Sequence, residues 1–159
     1  GIISGHKTPC TVMIDDKRSH KPITTQFITL LKGTRLDKTS MKEQMKTILK
    51  VIEEVKNGRR IIIFPEGGYY HNRNQVQDFL PGAFKCAIKA QSPIVPVALI
   101  DSYKPFEINS IKPVTTQVYF LPPIHYEDYK ELTSKEIAEL TKNKIVETIN
   151  MVCNGNARL

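Results

Sequence analysis

Glu66 is a carboxylate set where the chain leaves an apolar strand. The run Ile61-Ile62-Ile63-Phe64 is β-branched and continuously apolar, bounded by Asn57-Gly58 and by Pro65, as in a short strand buried on both faces. Proline has no N–H to give a ladder, so pairing stops at Pro65 and Glu66 stands at the strand's carboxyl end. Ligands of open α/β sheets bind at that edge. Gly67-Gly68 then frees the loop from Gly67 to Asp78 to turn sharply and bring backbone amides close to a ligand. Taken alone, Phe64-Pro65-Glu66-Gly67 also reads as a plain strand exit with Glu66 solvated. Two later signals favour a site: Leu80-Pro81-Gly82-Ala83-Phe84, and the apolar Val95-Pro96-Val97-Ala98-Leu99 with its internal proline.

The charge pattern indicates what such a site would hold. With 159 residues, 40% hydrophobic content and a formal charge of +7, the chain suits one globular domain with an anionic partner. That partner is a phosphorylated metabolite, an anionic bilayer or nucleic acid. No Lys/Arg run is interleaved with stacking aromatics and Trp is absent, which argues against nucleic acid. Cys10, Cys86 and Cys153 form no Cys-x-x-Cys pair and read as packed, reduced thiols of a cytosolic protein rather than zinc ligands or disulfides. No stretch approaches the roughly 20 apolar residues of a membrane span, so any membrane contact is expected to be peripheral or to lie outside these residues.

The elements that must position these residues follow from periodicity. Strands are expected at Thr11–Ile14, Arg35–Asp37, Ile61–Phe64, Ile94–Leu99 and Gln117–Leu121. A helix is expected from about Pro22 to Leu31, on Ile23, Phe27, Leu30 and Leu31. A second, capped by Thr39 or Ser40 and ending at Asn57-Gly58, has the apolar face Met41, Met45, Ile48, Leu49 and Ile52. A short helix covers Gly82 to Ala90. The last begins at Thr133 or Ser134, with Ile137, Leu140, Ile145, Ile149 and Met151. It carries Glu136, Glu139 and Glu147 among its lysines, so it is expected to pack on the sheet rather than lie on a bilayer. The fold class is α/β: a mixed, mostly parallel sheet flanked by helices, in a single domain spanning 1–159.

These residues resemble the 1-acylglycerol-3-phosphate acyltransferase family, bacterial type, most clearly over Thr11 to Ser102. The resemblance implies transfer of an acyl group from acyl carrier protein or coenzyme A onto lysophosphatidic acid. It requires no cofactor beyond the thioester carrier, and no metal. It implies that Phe64, Pro65, Glu66 and Gly67 hold the acyl acceptor, and that Val95, Pro96 and Val97 shape the acyl side; as residues, the latter read equally well as core. Where the family commonly has threonine after the tetrad, this chain has Gly68, which removes one hydroxyl contact. The family's glycine, apolar strand and Asp-Arg pair corresponds to Gly33-Thr34-Arg35-Leu36-Asp37-Lys38, with Lys38 at the place of the phosphate-binding arginine. Lysine keeps the charge but not the bidentate fork, so phosphate binding is expected to be weaker or shared with Arg35. Lys17, ahead of Pro22, loosely matches a further lysine near the phosphate.

The family's chemistry rests on a histidine with an aspartate five positions later: the histidine takes the acceptor's proton and the carboxylate orients it. No histidine here has that spacing. The fifth residue after His6 is Thr11, after His20 Thr25, after His71 Val76 and after His125 Lys130. Aligned backward from Gly33, the family's pair would fall a few residues before Gly1. The expectation is therefore an N-terminally truncated acyltransferase domain, inactive by itself, on the cytoplasmic face of a membrane or in the cytoplasm. The competing readings are a non-catalytic domain of the same fold that binds a phospholipid or a protein, and a basic α/β module for soluble phosphorylated metabolites.

Overall fold

The computed structural model describes residues 10–15, 33–36, 40–68, 71–107 and 113–156. Strands β1 (Cys10–Asp15), β2 (Thr34–Leu36) and β3 (Arg60–Ile62) form a parallel sheet in the order β2-β1-β3. The register pairs Asp15 with Leu36 and Val12 with Ile62, so all three strands end on one edge. Helix α1 (Met41–Lys56) links β2 to β3, a connection that passes β1. A 3-10 turn (Pro81–Phe84) runs into α2 (Lys85–Ala90), where a single helix from Gly82 to Ala90 was expected. Strand β4 (Val97–Ile100) pairs antiparallel with β5 (Gln117–Phe120) as a separate two-stranded sheet. Short helices α3 (Lys104–Glu107) and α4 (Tyr126–Tyr129) precede the long α5 (Ser134–Asn156).

Local sequence explains the boundaries. The Ser40 hydroxyl accepts from Glu43 N–H at the start of α1. Gly58, at φ +85°, ends it in the left-handed conformation that glycine adopts without strain. Thr133 and Glu136 cap α5 reciprocally: Thr133 N–H donates to Glu136 Oε2 at 2.7 Å, and Glu136 N–H to Thr133 Oγ1 at 3.3 Å.

Two apolar clusters hold the molecule. In the larger, Phe79, Phe84, Ala98, Ile100, Ile124 and Tyr129 meet Ile137, Ala138, Ile145 and Ile149 of α5. In the smaller, Val51 and Ile52 of α1 meet Cys86, with Met13, Ile48, Val55, Ile61 and Ala90 around them. Burial pushes the Cys86 thiol pKa up, which disfavours its reactive thiolate.

Several expectations need correction. The buried face of α1 is Ile48, Val51, Ile52 and Val55, whereas Met41 is 85% and Leu49 57% exposed, with Met45 exposed between them. This helix carries two apolar rows about 70° apart, and the sheet and α2 cover only one. Strand β3 stops at Ile62 and is half-buried, because it pairs only with β1 among the described residues; Phe64 lies beyond it, 57% exposed. Ile94 forms an isolated bridge to Ile124 outside β4, since Pro96 interrupts the donor row. Burial along β4 alternates, with Ala98 and Ile100 inward. β2 begins at Thr34, one residue before the expected strand, and Met151 of α5 is exposed. The helix expected from Pro22 to Leu31 lies outside the described residues.

Tyr129 ties α4 to the turn after α2. Buried to 1% exposure, its hydroxyl reaches the carbonyl oxygens of Ser92 at 2.5 Å and Ala87 at 3.2 Å. Burial, with the neighbouring Tyr126 adding to it, pushes its pKa up to about 12. A phenol held neutral in the fold contributes stability fully below its unfolded pKa of about 10, and that contribution disappears as pH rises toward the folded value. Tyr129→Phe is therefore expected to cost about 1–3 kcal/mol at neutral pH and to flatten the loss of stability above about pH 10. Urea titrations of both proteins at neutral and alkaline pH check this; equal stability at neutral pH would contradict it.

Candidate functional site

The tetrad Phe64-Pro65-Glu66-Gly67 follows β3 on the edge where β1 and β2 also end. Its backbone is closed by the loop that follows it. Gly67 N–H donates to the Phe64 carbonyl at 3.2 Å, and Leu80 N–H to the Pro65 carbonyl at 2.9 Å. Gly67 sits at φ +71°, and a Cβ there would lie 2.8 Å from Leu80 Cδ1. Glycine at this position is required by both the turn and the close approach of Leu80.

Glu66 is half-buried, and its Oε2 accepts the Gln77 N–H at 2.9 Å. One carboxylate oxygen thus holds the returning loop. The other has no protein partner among the described residues and remains an acceptor for a ligand hydroxyl or amide. The side-chain Nε2 of Gln77 is buried without a partner among those residues.

The loop is fixed at further points that the sequence reading did not find. Asn74 Nδ2 donates to Asp101 Oδ1 at 3.0 Å, and Asp101 N–H donates back to Asn74 Oδ1 at 2.8 Å. Lys104 Nζ meets Asp101 Oδ2 at 2.6 Å. Hydrogen bonding from Lys104, with Asn74 adding to it, holds the Asp101 carboxyl below its ordinary range. The Arg73 guanidinium lies 5.7 Å from the Tyr103 ring centroid, within cation–π range. Lys142 of α5 reaches Asp78 at 2.7 Å, but Asp78 is fully exposed and the pair is worth little.

The other residues singled out from sequence fall in three groups. Gly33 is half-buried just before β2, and Arg35 lies within β2 opposite Ile14. Lys17 and Lys38 lie outside the described residues. Asp15 and Leu36, each two positions before one of those lysines in sequence, are register partners. On the acyl side, Val95 is exposed, Pro96 fully buried and Val97 half-buried. The Pro96 carbonyl accepts Leu121 N–H at 3.0 Å, so Pro96 acts in the core while Val95 offers apolar surface.

His71 takes a left-handed φ of +59° in the exposed loop. His125 heads α4, its N–H donating to Asp128 Oδ2 at 3.0 Å. Among the described residues, no group of three or more His, Cys, Asp or Glu side chains is arranged to hold a metal, and no helix is long and apolar enough to cross a membrane.

Residues 2–100 match the Acyltransferase family model. A 1-acyl-sn-glycerol-3-phosphate acyltransferase of Saccharomyces cerevisiae is 28% identical over 152 residues, covering 90% of this chain and 48% of the relative. One from Salmonella typhimurium is 29% identical over 141 residues, covering 86% of this chain and 57% of the relative. The chain spans about half the length of these curated relatives. The crystal structure of the 1-acyl-sn-glycerophosphate (LPA) acyltransferase PlsC from Thermotoga maritima superposes with a TM-score of 0.69 at 17% identity, over 91% of this chain and 57% of that one. At that identity it shows a shared fold.

Proposed function

The chain belongs to the Acyltransferase family, and from that premise we propose that it forms the acceptor-binding part of an enzyme that converts lysophosphatidic acid to phosphatidic acid. The observation that carries the reading is Glu66: a half-buried carboxylate at a parallel-sheet edge, one oxygen anchored by Gln77 and the other without a partner among the described residues. The names of the relatives support the acceptor assignment, and the charge of +7 suits a phosphate-bearing lipid.

In this reading the open Glu66 oxygen accepts a hydroxyl of the acceptor, and Lys38, with Arg35, neutralises its phosphate. The acyl thioester of coenzyme A or acyl carrier protein is the co-substrate, with Val95 on the acyl side. A base takes the proton of the attacking hydroxyl, the hydroxyl oxygen bonds to the thioester carbonyl carbon, and the thiol leaves. Backbone donors stabilise the oxyanion. Proton removal falls to the family's His–Asp pair, a spacing that no histidine of this sequence forms. The reaction so written uses no metal or further cofactor. Contact with a membrane is peripheral, on an anionic cytoplasmic surface. The exposed Met41, Met45 and Leu49 beside the exposed Lys42, Lys46 and Lys50 of α1 support this.

The test is a titration of the chain with vesicles, phosphatidylcholine or phosphatidylglycerol, with and without lysophosphatidic acid or monoacylglycerol. Phosphatidylglycerol vesicles are expected to bind and phosphatidylcholine vesicles not. Lysophosphatidic acid is expected to add affinity that monoacylglycerol lacks, and Lys38→Ala to remove about tenfold of that increment. Equal affinity for the two added lipids would overturn the acceptor assignment.

A further inference from the structure

Among the described residues, three of the four non-glycine positions with positive φ, His71 at 59°, Arg73 at 53° and Asp101 at 59°, lie where the loop after Glu66 meets the end of β4. Strained backbone persists only where the surroundings over-determine it. Here the surroundings are the Asn74–Asp101 pair, whose two hydrogen bonds of 3.0 and 2.8 Å run in opposite directions, and the Arg73–Tyr103 contact.

Asp101 follows β4 directly, and the buried Ala98 and Ile100 of that strand belong to the larger core cluster. Its second oxygen is held by Lys104 at 2.6 Å. Asp101 is thus a fixed post and Asn74 the loop residue tied to it. Three residues further on, the Gln77 N–H holds Glu66. At about 3.5 Å of chain per residue, fixing Asn74 confines Gln77 to within about 10 Å.

We propose that Asn74 and Asp101 are positioning residues: a latch that transmits the rigidity of β4 through the loop to Gln77 and so orients the Glu66 carboxylate for the acceptor. This rests on the reading of Glu66 as part of the acceptor site. The latch selects residue types as well as contacts. Asp and Asn tolerate left-handed backbone better than other side chains, so Asp101→Asn keeps the conformation and the Oδ1 acceptor for Asn74, giving up only the Lys104 bond. Asp101→Gly keeps the conformation and loses the side-chain contact.

The experiment has two readouts. Amide hydrogen exchange is measured on the chain and on Asn74→Ala, Asp101→Gly and Asp101→Asn, comparing Gln77 with Ala98 and Ile100 of β4. Asn74→Ala and Asp101→Gly are expected to speed Gln77 exchange about tenfold with the β4 amides unchanged, and Asp101→Asn to remain close to the parent. In the full-length protein the same two variants are expected to raise KM for the acceptor about fivefold and to leave KM for the thioester unchanged, with Asp101→Asn restoring it. Unchanged Gln77 protection in Asn74→Ala and Asp101→Gly would overturn the latch, as would faster exchange with an unaltered acceptor KM in a protein that Glu66→Ala impairs. If Glu66→Ala also keeps wild-type kinetics, the acceptor reading is what has failed, and with it the proposed role of the latch.

Discussion

Glu66→Ala is expected to lower kcat/KM for the acceptor about a hundredfold, which corresponds to about 2.7 kcal/mol of lost transition-state stabilisation. The substitution removes two things at once. The open oxygen no longer meets the acceptor, and the Gln77 N–H loses the partner it has at 2.9 Å. The second loss frees the loop, yet it touches neither apolar cluster, so the effect on global stability is expected to stay near about 1 kcal/mol. Glu66→Gln separates the two contributions. It keeps an oxygen for Gln77 and gives up the charge, so a loss of about tenfold is expected, since charge-assisted bonds are roughly twice as strong as neutral ones. Steady-state kinetics and thermal unfolding on the three proteins decide it. Wild-type kcat/KM in Glu66→Ala would remove Glu66 from the site.

Gly67→Val is expected to destabilise the fold by about 2–4 kcal/mol. The φ of +71° is a conformation that β-branched residues almost never adopt, and this part of the cost has no escape. The second part is steric: the new Cβ would lie 2.8 Å from Leu80 Cδ1. Leu80 is exposed, so it can swing away and recover most of that part. Two comparisons follow. Gly67→Asn is expected to cost only about 1 kcal/mol, because asparagine visits left-handed backbone more readily. Adding Leu80→Ala to Gly67→Val is expected to recover less than half the loss. Denaturant midpoints for the four proteins measure this, and wild-type stability in Gly67→Val would show that the turn is not built as described.

What the sequence revealed of this fold follows the strength of the local signals. The strands around Val12, Ile61, Ala98 and Val118 were legible as short runs rich in β-branched residues, two of them closed by Pro65 and Pro122, and α1 and α5 because caps and spacing agreed. The face of α1 was misjudged at Met41, Met45 and Leu49, since periodicity marks apolar rows without saying which one a neighbour covers. The position of Glu66 just past a strand was readable from the apolar run before Pro65, although pairing already stops at Ile62. Its partner was not, because the donor at Gln77 is a backbone N–H, which every residue but proline carries. Nor was the Asn74–Asp101 pair, whose members lie 27 residues apart and meet only because the loop folds back on β4. The turn-forming character of Asn72-Arg73-Asn74 and of Asp101-Ser102 was its only trace in the sequence.

The most direct test of the central claim is product analysis with the full-length protein, lysophosphatidic acid and either acyl-coenzyme A or acyl carrier protein thioester. Phosphatidic acid formed with at least one donor, and lost in Glu66→Ala, is the predicted result. Lysophosphatidic acid bound but never acylated by either donor would contradict it, and would make this a lipid-binding domain that keeps the fold without the chemistry.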